Sequence, residues 1–487
     1  MKNLCTVNVG EFSDLTNVIS KAYNQEEFKV YAIDDVDYLS TLKKYFNNFK
    51  FYDFTETSRL NFLKDKFVTF DLNEDKLQQY LQYLDIFFDI CDRYDYNNCF
   101  TSSQRITHFY HLLNYFEEFI NNNNIEEIIF NHTPHHINTF CLYLVCRKKE
   151  IKIKINTQFS FGNNIRFTID NDIFTRCVKV KENVAINSKL TNQFDKETIL
   201  KKFNYKLPEY MIPKTGKKIK MFGLNYDSLL FLFLRDLIEV SKLGLFKSAK
   251  YYLKIDKRKF FFEENKFSNF KSFFLRSLQR LKILKLKISY SLNCTSYHDV
   301  KSQKYCVFFP NYQPEATTSP SSRFYSNIFL VLENIQSIVG QDCLILYKEH
   351  PSTFNYNLES FFKRDKFFYK SLKKRFKNLK FINQEISNEE IIKNSLNSFC
   401  QTSNVAIDSL KVSKPVIIFG NVWFDKFYNI CKFNNIDDSK NYLKNFCFDI
   451  KLFEKEVLNY NYSVEKNSYN LNFKSDVDKN ILLSLLN

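Results

Sequence analysis

Residues 344–351 read LILYKEHP. The same pairing of a short apolar run with a polar block recurs at 306–320 (CVFFPNYQPEATTSP) and at 398–404 (SFCQTSN). A few apolar residues stopped by a turn make a short strand buried on both faces, as in parallel sheets. Between these runs the helical rhythm takes over: Ile328, Leu332, Ile335 and Ile338 suit one face of a helix over 326–339. The spacing predicts a third strand at 379–382, a short helix at 389–394, a helix at 403–411 and a fifth strand at 416–419. Gly420, followed by Asn421 and Trp423, reads as a tight turn into a further loop. Alternating strands and helices build a parallel sheet, and ligands of open α/β sheets bind outside the carboxyl ends of the strands. All three polar blocks follow a strand, so all three are predicted to face one cleft.

The chain has 487 residues, too many for one ordinary core, with 44% hydrophobic and 17% aromatic residues to bury. A second α/β rhythm lies near the start. Residues 125–130 form an apolar run, and Asn131-His132-Thr133-Pro134 turns the chain with Thr133 as N-cap and Pro134 at the first helical position. Ile137, Phe140, Cys141 and Leu144 follow at helical spacing, and Ile151, Ile153 and Ile155 alternate with lysines as in a strand. These patterns predict an α/β protein of two Rossmann-like domains facing a cleft, with a helical middle segment. The expected divisions are an N-terminal domain over 1–185, a basic helical connection over 186–300, a C-terminal domain over 301–455, and a tail over 456–487 packing back across the domains.

The net charge of +16 favours anionic partners: nucleotide-sugars, phosphorylated glycans or a membrane surface. Nucleic acid is not expected, because the lysines are spread along the chain and no recognition motif appears. The middle segment, with stretches such as 227–246 (DSLLFLFLRDLIEVSKLGLF), reads either as helices with solvated lysines or as a patch for an anionic inner membrane surface. The start of the chain has no apolar core of signal length, and the longest strongly apolar run, 229–234, is too short to span a bilayer. The twelve cysteines contain no CxxC pair and read as reduced thiols of a cytoplasmic protein, possible association with the inner face of the plasma membrane being peripheral.

At KEHP, three ionisable side chains stand at a strand's carboxyl end. His350 can hydrogen-bond a phosphate, Lys348 can neutralise it, Glu349 lies between them, and Pro351 restricts His350 to extended backbone. Thr402, Ser403 and Asn404 open a helix whose free N–H groups favour an anion, and Asp408 could reach a ribose hydroxyl or be a surface aspartate. Gln313, Glu315, Thr317, Thr318 and Ser319 make a polar loop suited to a sugar, with Glu315 and His350 as candidate catalytic groups. The seven glycines form neither GxGxxG nor GxxxxGK[ST], which argues against dinucleotide and P-loop chemistry. His132, His135 and His136 lack companions at zinc spacing, so no metal is expected. The pairs Asp34-Asp35 and Asp170/Asp172 read as solvated turns.

The series YQPEATTSP, then LYKEHP with Arg364 and Tyr369 downstream, then 402–420 (TSNVAIDSLKVSKPVIIFG), resembles the bacterial capsule polysaccharide biosynthesis family, which includes β-Kdo transferases. The resemblance covers about 300–425 and more weakly 131–155, and the His-Pro pair is shared with sialyl- and polysialyltransferases and with glycerophosphotransferases of wall polymers. It implies a GT-B glycosyltransferase with His350 on the donor phosphate, Lys348 nearby, and Thr402 and Ser403 at the phosphate-side helix start. Asp408 stands where the family has a glutamate that contacts the nucleotide. A CMP-activated donor, Kdo above all, a glycan or glycolipid acceptor and no required cofactor are what the resemblance implies. A CDP-polyol phosphotransferase and a non-catalytic capsule assembly or export factor of similar fold are the alternatives.

Overall fold

A computed structural model describes residues 1–24, 26–54, 74–92, 101–161, 164–182, 220–221, 224–225, 282–283, 285–313, 315, 318–354, 364–365, 367–471 and 476–487. Two six-stranded sheets organise them.

The first sheet holds β1 (Lys2–Val7), β2 (Phe28–Asp34), β3 (Phe49–Asp53), β4 (Glu127–Phe130), β5 (Lys152–Phe161) and β6 (Asn164–Asp170), in the order β3-β2-β1-β4-β5-β6. All neighbours are parallel except β5 and β6, which pair antiparallel. The helices include α1 (Ser13–Ala22), α2 (Leu39–Tyr45), α3 (Glu74–Leu81), α4 (Leu84–Cys91), α5 (Ser102–Asn123), α6 (Ile137–Lys148) and α7 (Val178–Glu182). Helix α6 starts later than the sequence predicts. Thr133 is not its cap: His135 Nδ1 lies 2.6 Å from the Thr133 carbonyl, and His136 takes the N-cap position in a reciprocal box with Thr139. The polar turn therefore continues two residues past Pro134 before the helix begins.

The second sheet holds β7 (Tyr305–Phe309), β8 (Leu344–Tyr347), β9 (Leu379–Phe381), β10 (Ser398–Cys400), β11 (Val416–Ile418) and β12 (Ile430–Lys432). Its order is β9-β8-β7-β10-β11-β12, parallel throughout. Around it lie α8 (Ile328–Val339), α9 (Phe368–Arg375), α10 (Asn388–Asn394), α11 (Val405–Lys411) and α12 (Ile436–Asn445). α8 begins two residues later than predicted because Asn327, in extended backbone, caps it by accepting from Phe329 N (3.0 Å) and Leu330 N (3.3 Å). α11 likewise starts at Val405 rather than 403.

Most of the middle segment, including 227–246, lies outside the described residues. Of its described part, Ile283, Leu286 and Tyr290 recur at helical spacing and are buried in the core of the second sheet with Phe308, Ile345 and Phe381. That apolar face is therefore covered by the protein itself. Among the described residues no helix is long and apolar enough to cross a membrane, and every described cysteine is a free thiol.

The two halves meet through their carboxyl edges. β5 pairs with β4 only as far as Ile155 and then runs on with β6 as a two-stranded ribbon. Phe159 and Phe161 near the end of the ribbon are buried in the second half's core, with Phe161 set 5.7 Å from Trp423, which follows β11. From the other side, Arg323 stacks 4.3 Å over Phe174, and Ser326 Oγ donates to Asp89 Oδ2 at 2.7 Å. Lys181 and Asp425 form a buried pair at 3.1 Å. Two further helices close the structure: α13 (Ile450–Asn467), whose Ser463 donates to Val180 O, and α14 (Asp476–Leu486), which packs Leu482 and Leu486 against α1. Between them Tyr469 forms an antiparallel bridge to Phe167, covering the outer edge of β6. Two Rossmann-like halves opposed across their carboxyl edges are the GT-B arrangement expected from the sequence.

Candidate functional site

In each sheet the strand order reverses beside its first strand, between β1 and β4 and between β7 and β10. Such switch points open the crevice where open α/β sheets take ligands.

At the second switch point the loops after β7 and β10 are locked together. Asn311 N donates to Gln401 Oε1 (2.8 Å), Thr402 N donates to Asn311 Oδ1 (3.2 Å), and Asn311 Nδ2 donates to the Thr402 hydroxyl. Gly420 permits this closure. A Cβ there would lie 2.4 Å from Thr402 Cγ2 and 3.0 Å from Ser322 Oγ. Gly420 lies outside the left-handed region, so a close approach, rather than the tight turn read from the sequence, explains why it is bare.

The structure sends the three KEHP side chains in different directions. Glu349 turns inward and is 1% exposed. Its Oε2 accepts from Arg364 Nε (2.9 Å), Tyr369 Oη (2.8 Å) and Tyr347 Oη (3.0 Å). Its Oε1 accepts from Arg364 Nη2 (3.0 Å), Thr353 Oγ1 (3.1 Å) and the His350 backbone N–H (3.0 Å). Lys348, also buried, turns sideways to donate to Asn388 Oδ1 (2.6 Å) and to the Ile386 carbonyl. Burial beside these neutral acceptors pushes its pKa down to about 8.

His350 alone keeps an open edge. Its Nδ1 accepts from Ser352 N at 3.2 Å, which assigns the proton of the neutral ring to Nε2, and among the described residues Nε2 has no partner. Burial pushes its pKa down to about 4, so at neutral pH the ring presents a neutral N–H donor. Gln384 Nε2 fixes the backbone by donating to the Glu349 and His350 carbonyls (3.2 and 2.8 Å). The Tyr312 ring lies 6.3 Å from that of His350, bringing the loop after β7 to the loop after β8. Arg364 makes the same link from beneath, donating to Gln313 Oε1 and Asn311 O at 3.4 Å each.

Within the first block, Gln313, Thr318 and Ser319 are buried. Thr318 Oγ1 donates to Tyr312 O (2.9 Å), and the Thr318 and Ser319 N–H groups donate to Glu315 O (3.0 and 2.8 Å). The Glu315 side chain is half-buried, and Thr317 lies outside the described residues. In the third block Ser403 and Asn404 are half-buried, with Ser403 Oγ accepting from Val405 N at 3.3 Å. Asp408 sits on α11 with Lys411 Nζ at 3.2 Å, and burial raises its pKa. The three blocks thus converge on one switch point, with buried members tying the loops together, while His350, Glu315, Ser403, Asn404 and Asp408 are half-buried.

Several polar groups at strand ends of the first sheet stand in surroundings other than those read from the sequence. Asp34 is not a solvated turn residue. It is 1% exposed and accepts from Gly10 N (2.7 Å) and Asp35 N (2.9 Å), and burial, offset in part by these N–H groups, raises its pKa to about 7. Asp170 is also buried. It accepts from Cys177 N and Val178 N at 2.6 Å each, and burial lifts its pKa to about 6. Asp172 accepts from Phe174 N (2.7 Å) and Tyr143 Oη (3.0 Å). After β4, His132 Nε2 meets Glu11 Oε2 at 2.7 Å. The available signal was positional: Asn8–Glu11 and Asn131–His132 follow the first and fourth strands, as the Gln313 and Thr402 blocks do in the other half.

No family model matches this chain, and no curated protein matches it. Among solved structures it is similar to UDP-GlcNAc 2-epimerase from Neisseria meningitidis bound to UDP-GlcNAc (9% identity, TM-score 0.24, 100% of this chain and 99% of that one). It is similar also to the Thermosulfurimonas dismutans KpsC beta Kdo 2,7 transferase (10% identity, TM-score 0.27, 71% of this chain and 79% of that one). A third is the S. aureus MnaA-UDP co-structure (13% identity, TM-score 0.24, 96% of this chain and 94% of that one). Likeness at these scores carries no argument about activity.

Proposed function

We propose that this chain is a glycosyltransferase of surface-polysaccharide synthesis that takes its sugar from a nucleotide donor, CMP-activated and with Kdo as first choice, and passes it to a glycan or glycolipid acceptor. The observation that carries the reading is the convergence of all three polar blocks at the second switch point, where His350 offers an unspent Nε2–H at a strand's carboxyl end. A neutral imidazole N–H held by Ser352 and Pro351 suits a phosphate oxygen, which accepts a hydrogen bond without needing a fixed counter-charge. Ser403, Asn404 and Asp408 then serve the nucleoside, and Glu315 the sugar side. The resemblance of the same blocks to capsule polysaccharide enzymes supports the choice of transferred group. The test is thermal stabilisation by CMP, UDP and CDP, compared between the wild type and His350→Ala. Stabilisation by one of them that His350→Ala weakens is the expected result. No stabilisation by any, or an unchanged response of the variant, would sink the reading.

A further inference from the structure

The first switch point holds a histidine and a carboxylate in the geometry of a base and its orienting group. His132 follows β4 and Glu11 follows β1, the two strands that flank the reversal. Nε2 of His132 lies 2.7 Å from Glu11 Oε2 and 3.2 Å from Asn131 Nδ2. The shorter contact is to a pure acceptor and assigns the ring proton to Nε2. The lone pair is thereby left on Nδ1, which has no partner among the described residues. The ring is partly open to solvent, at 31% exposure, and its other flank meets the edge of Phe12 at 6.0 Å.

The loop that carries Glu11 is held on several sides. Asp34 accepts from Gly10 N, and Thr16 Oγ1 donates to Val9 O (2.7 Å) and Phe12 O (2.9 Å). Asn131 Nδ2 donates to Asn8 O (2.8 Å), Asn131 Oδ1 accepts from Asn156 (3.2 Å), and Asn156 Oδ1 accepts from Tyr469 Oη (2.6 Å). Gly10 leaves no room for a side chain: a Cβ there would meet Tyr38 Cβ at 2.9 Å and Asp34 Oδ2 at 3.0 Å. A solvent-accessible pair held so firmly by buried polar partners has the preorganisation expected of a reacting site. The β5–β6 ribbon passes beyond this same edge into the second half, so the dyad lies on the side of the first sheet that the second half occupies.

We propose that His132 is the catalytic base for a hydroxyl-bearing acceptor bound at the first switch point, with Glu11 as its positioning residue. The proposal rests on the glycosyl-transfer reading. The acceptor's hydroxyl proton passes to His132 Nδ1, and the oxygen's electron pair forms the new bond to the donor's anomeric carbon. The bond from that carbon to the phosphate oxygen breaks, and its electron pair leaves with the nucleotide, where His350 Nε2–H stands as donor. Glu11 stabilises the imidazolium that results, the arrangement by which a carboxylate orients and supports a histidine base.

The test separates binding from chemistry. Binding of CMP, UDP and CDP is measured by calorimetry, and nucleotide release from CMP-Kdo, UDP-N-acetylglucosamine and CDP-glycerol is followed with water and with added glycerol as acceptor. His132→Gln should bind nucleotide as the wild type does, which also shows that it is folded, and should release it about 10²- to 10⁴-fold more slowly. Glu11→Gln should lower kcat with the donor KM unchanged. Wild-type release rates in His132→Gln would overturn the assignment and leave the nucleotide-sugar reading standing. So would nucleotide binding without release from any donor. Absence of nucleotide binding in the wild type would overturn both.

Discussion

Glu349 and Arg364 form a two-point ion pair with neither side chain touching water, Nε and Nη2 lying 2.9 and 3.0 Å from the two carboxylate oxygens. The pair is the underside of the candidate site, since the same guanidinium reaches Gln313 and Asn311 and the same carboxylate holds the His350 backbone. Removing one partner strands a buried charge. Arg364→Ala is therefore expected to cost about 3–5 kcal/mol, read as a lower urea midpoint at unchanged m-value. Arg364→Lys should recover little, because an ammonium cannot reproduce the fork. A wild-type midpoint in Arg364→Ala would refute the structural role.

Gly420→Ala places a methyl group against Thr402 Cγ2. The expected loss is about 1–3 kcal/mol, as for other overpacked cores. Thr402→Ser deletes the methyl group while keeping the hydroxyl that accepts from Asn311, so the double variant should be more stable than the sum of the singles predicts. A double-mutant cycle by chemical denaturation measures the coupling, and additivity would rule out the contact as the cause.

His350 makes stability depend on pH in a known direction. Its folded pKa, about 4, lies below the ordinary histidine value, so the unfolded chain binds its proton first. The contribution is present above about pH 6.5, the unfolded value, and is lost as pH falls toward 4. His350→Gln should flatten the stability curve within that window and leave it unchanged above it. The difference between the two curves, from denaturation at several pH values, should slope upward with pH. A flat difference contradicts the placement of the ring.

Lys348 gives the opposite test at alkaline pH. Its folded pKa is depressed to about 8 by burial against neutral acceptors. Holding the charge there costs stability fully at neutral pH, and the cost fades as pH rises through 8 toward the unfolded value. Lys348→Met should therefore look more favourable relative to the wild type at pH 7 than at pH 10. Equal differences at the two pH values would show that the ammonium is solvated.

Five strands of the second sheet were legible as short, mostly buried runs, whereas the edge strand β12, with Lys432 exposed, was not. Each of β7, β8, β10 and β11 is a short apolar run stopped by Pro310, Lys348, Gln401 or Phe419-Gly420, and parallel pairing leaves such runs little other meaning. Placement of the blocks at the carboxyl edge followed from that. The destination of each side chain did not. Glu349 is inward because Arg364 arrives from 15 positions further on, and Asp34 is buried because Gly10 offers its N–H from 24 positions earlier. Both bonds are long-range, and neither leaves a local pattern. In the first half, Thr133 has the composition of a cap but its carbonyl is taken by His135, a choice made by the turn rather than by propensity. The dyad of Glu11 and His132 spans 121 positions and becomes visible only when β1 and β4 are paired.

The link from Tyr469 to Asn156 spans 313 positions and reaches, through Asn131, the loop that begins at Asn8. Contacts of such separation form late, because the intervening chain must be made and ordered first. On the ribosome the first sheet emerges well before α13 and α14, with β6 lacking its cover and Asn156 lacking its donor. The half that is synthesised first therefore gains its last cover only once the chain around Tyr469 has been made.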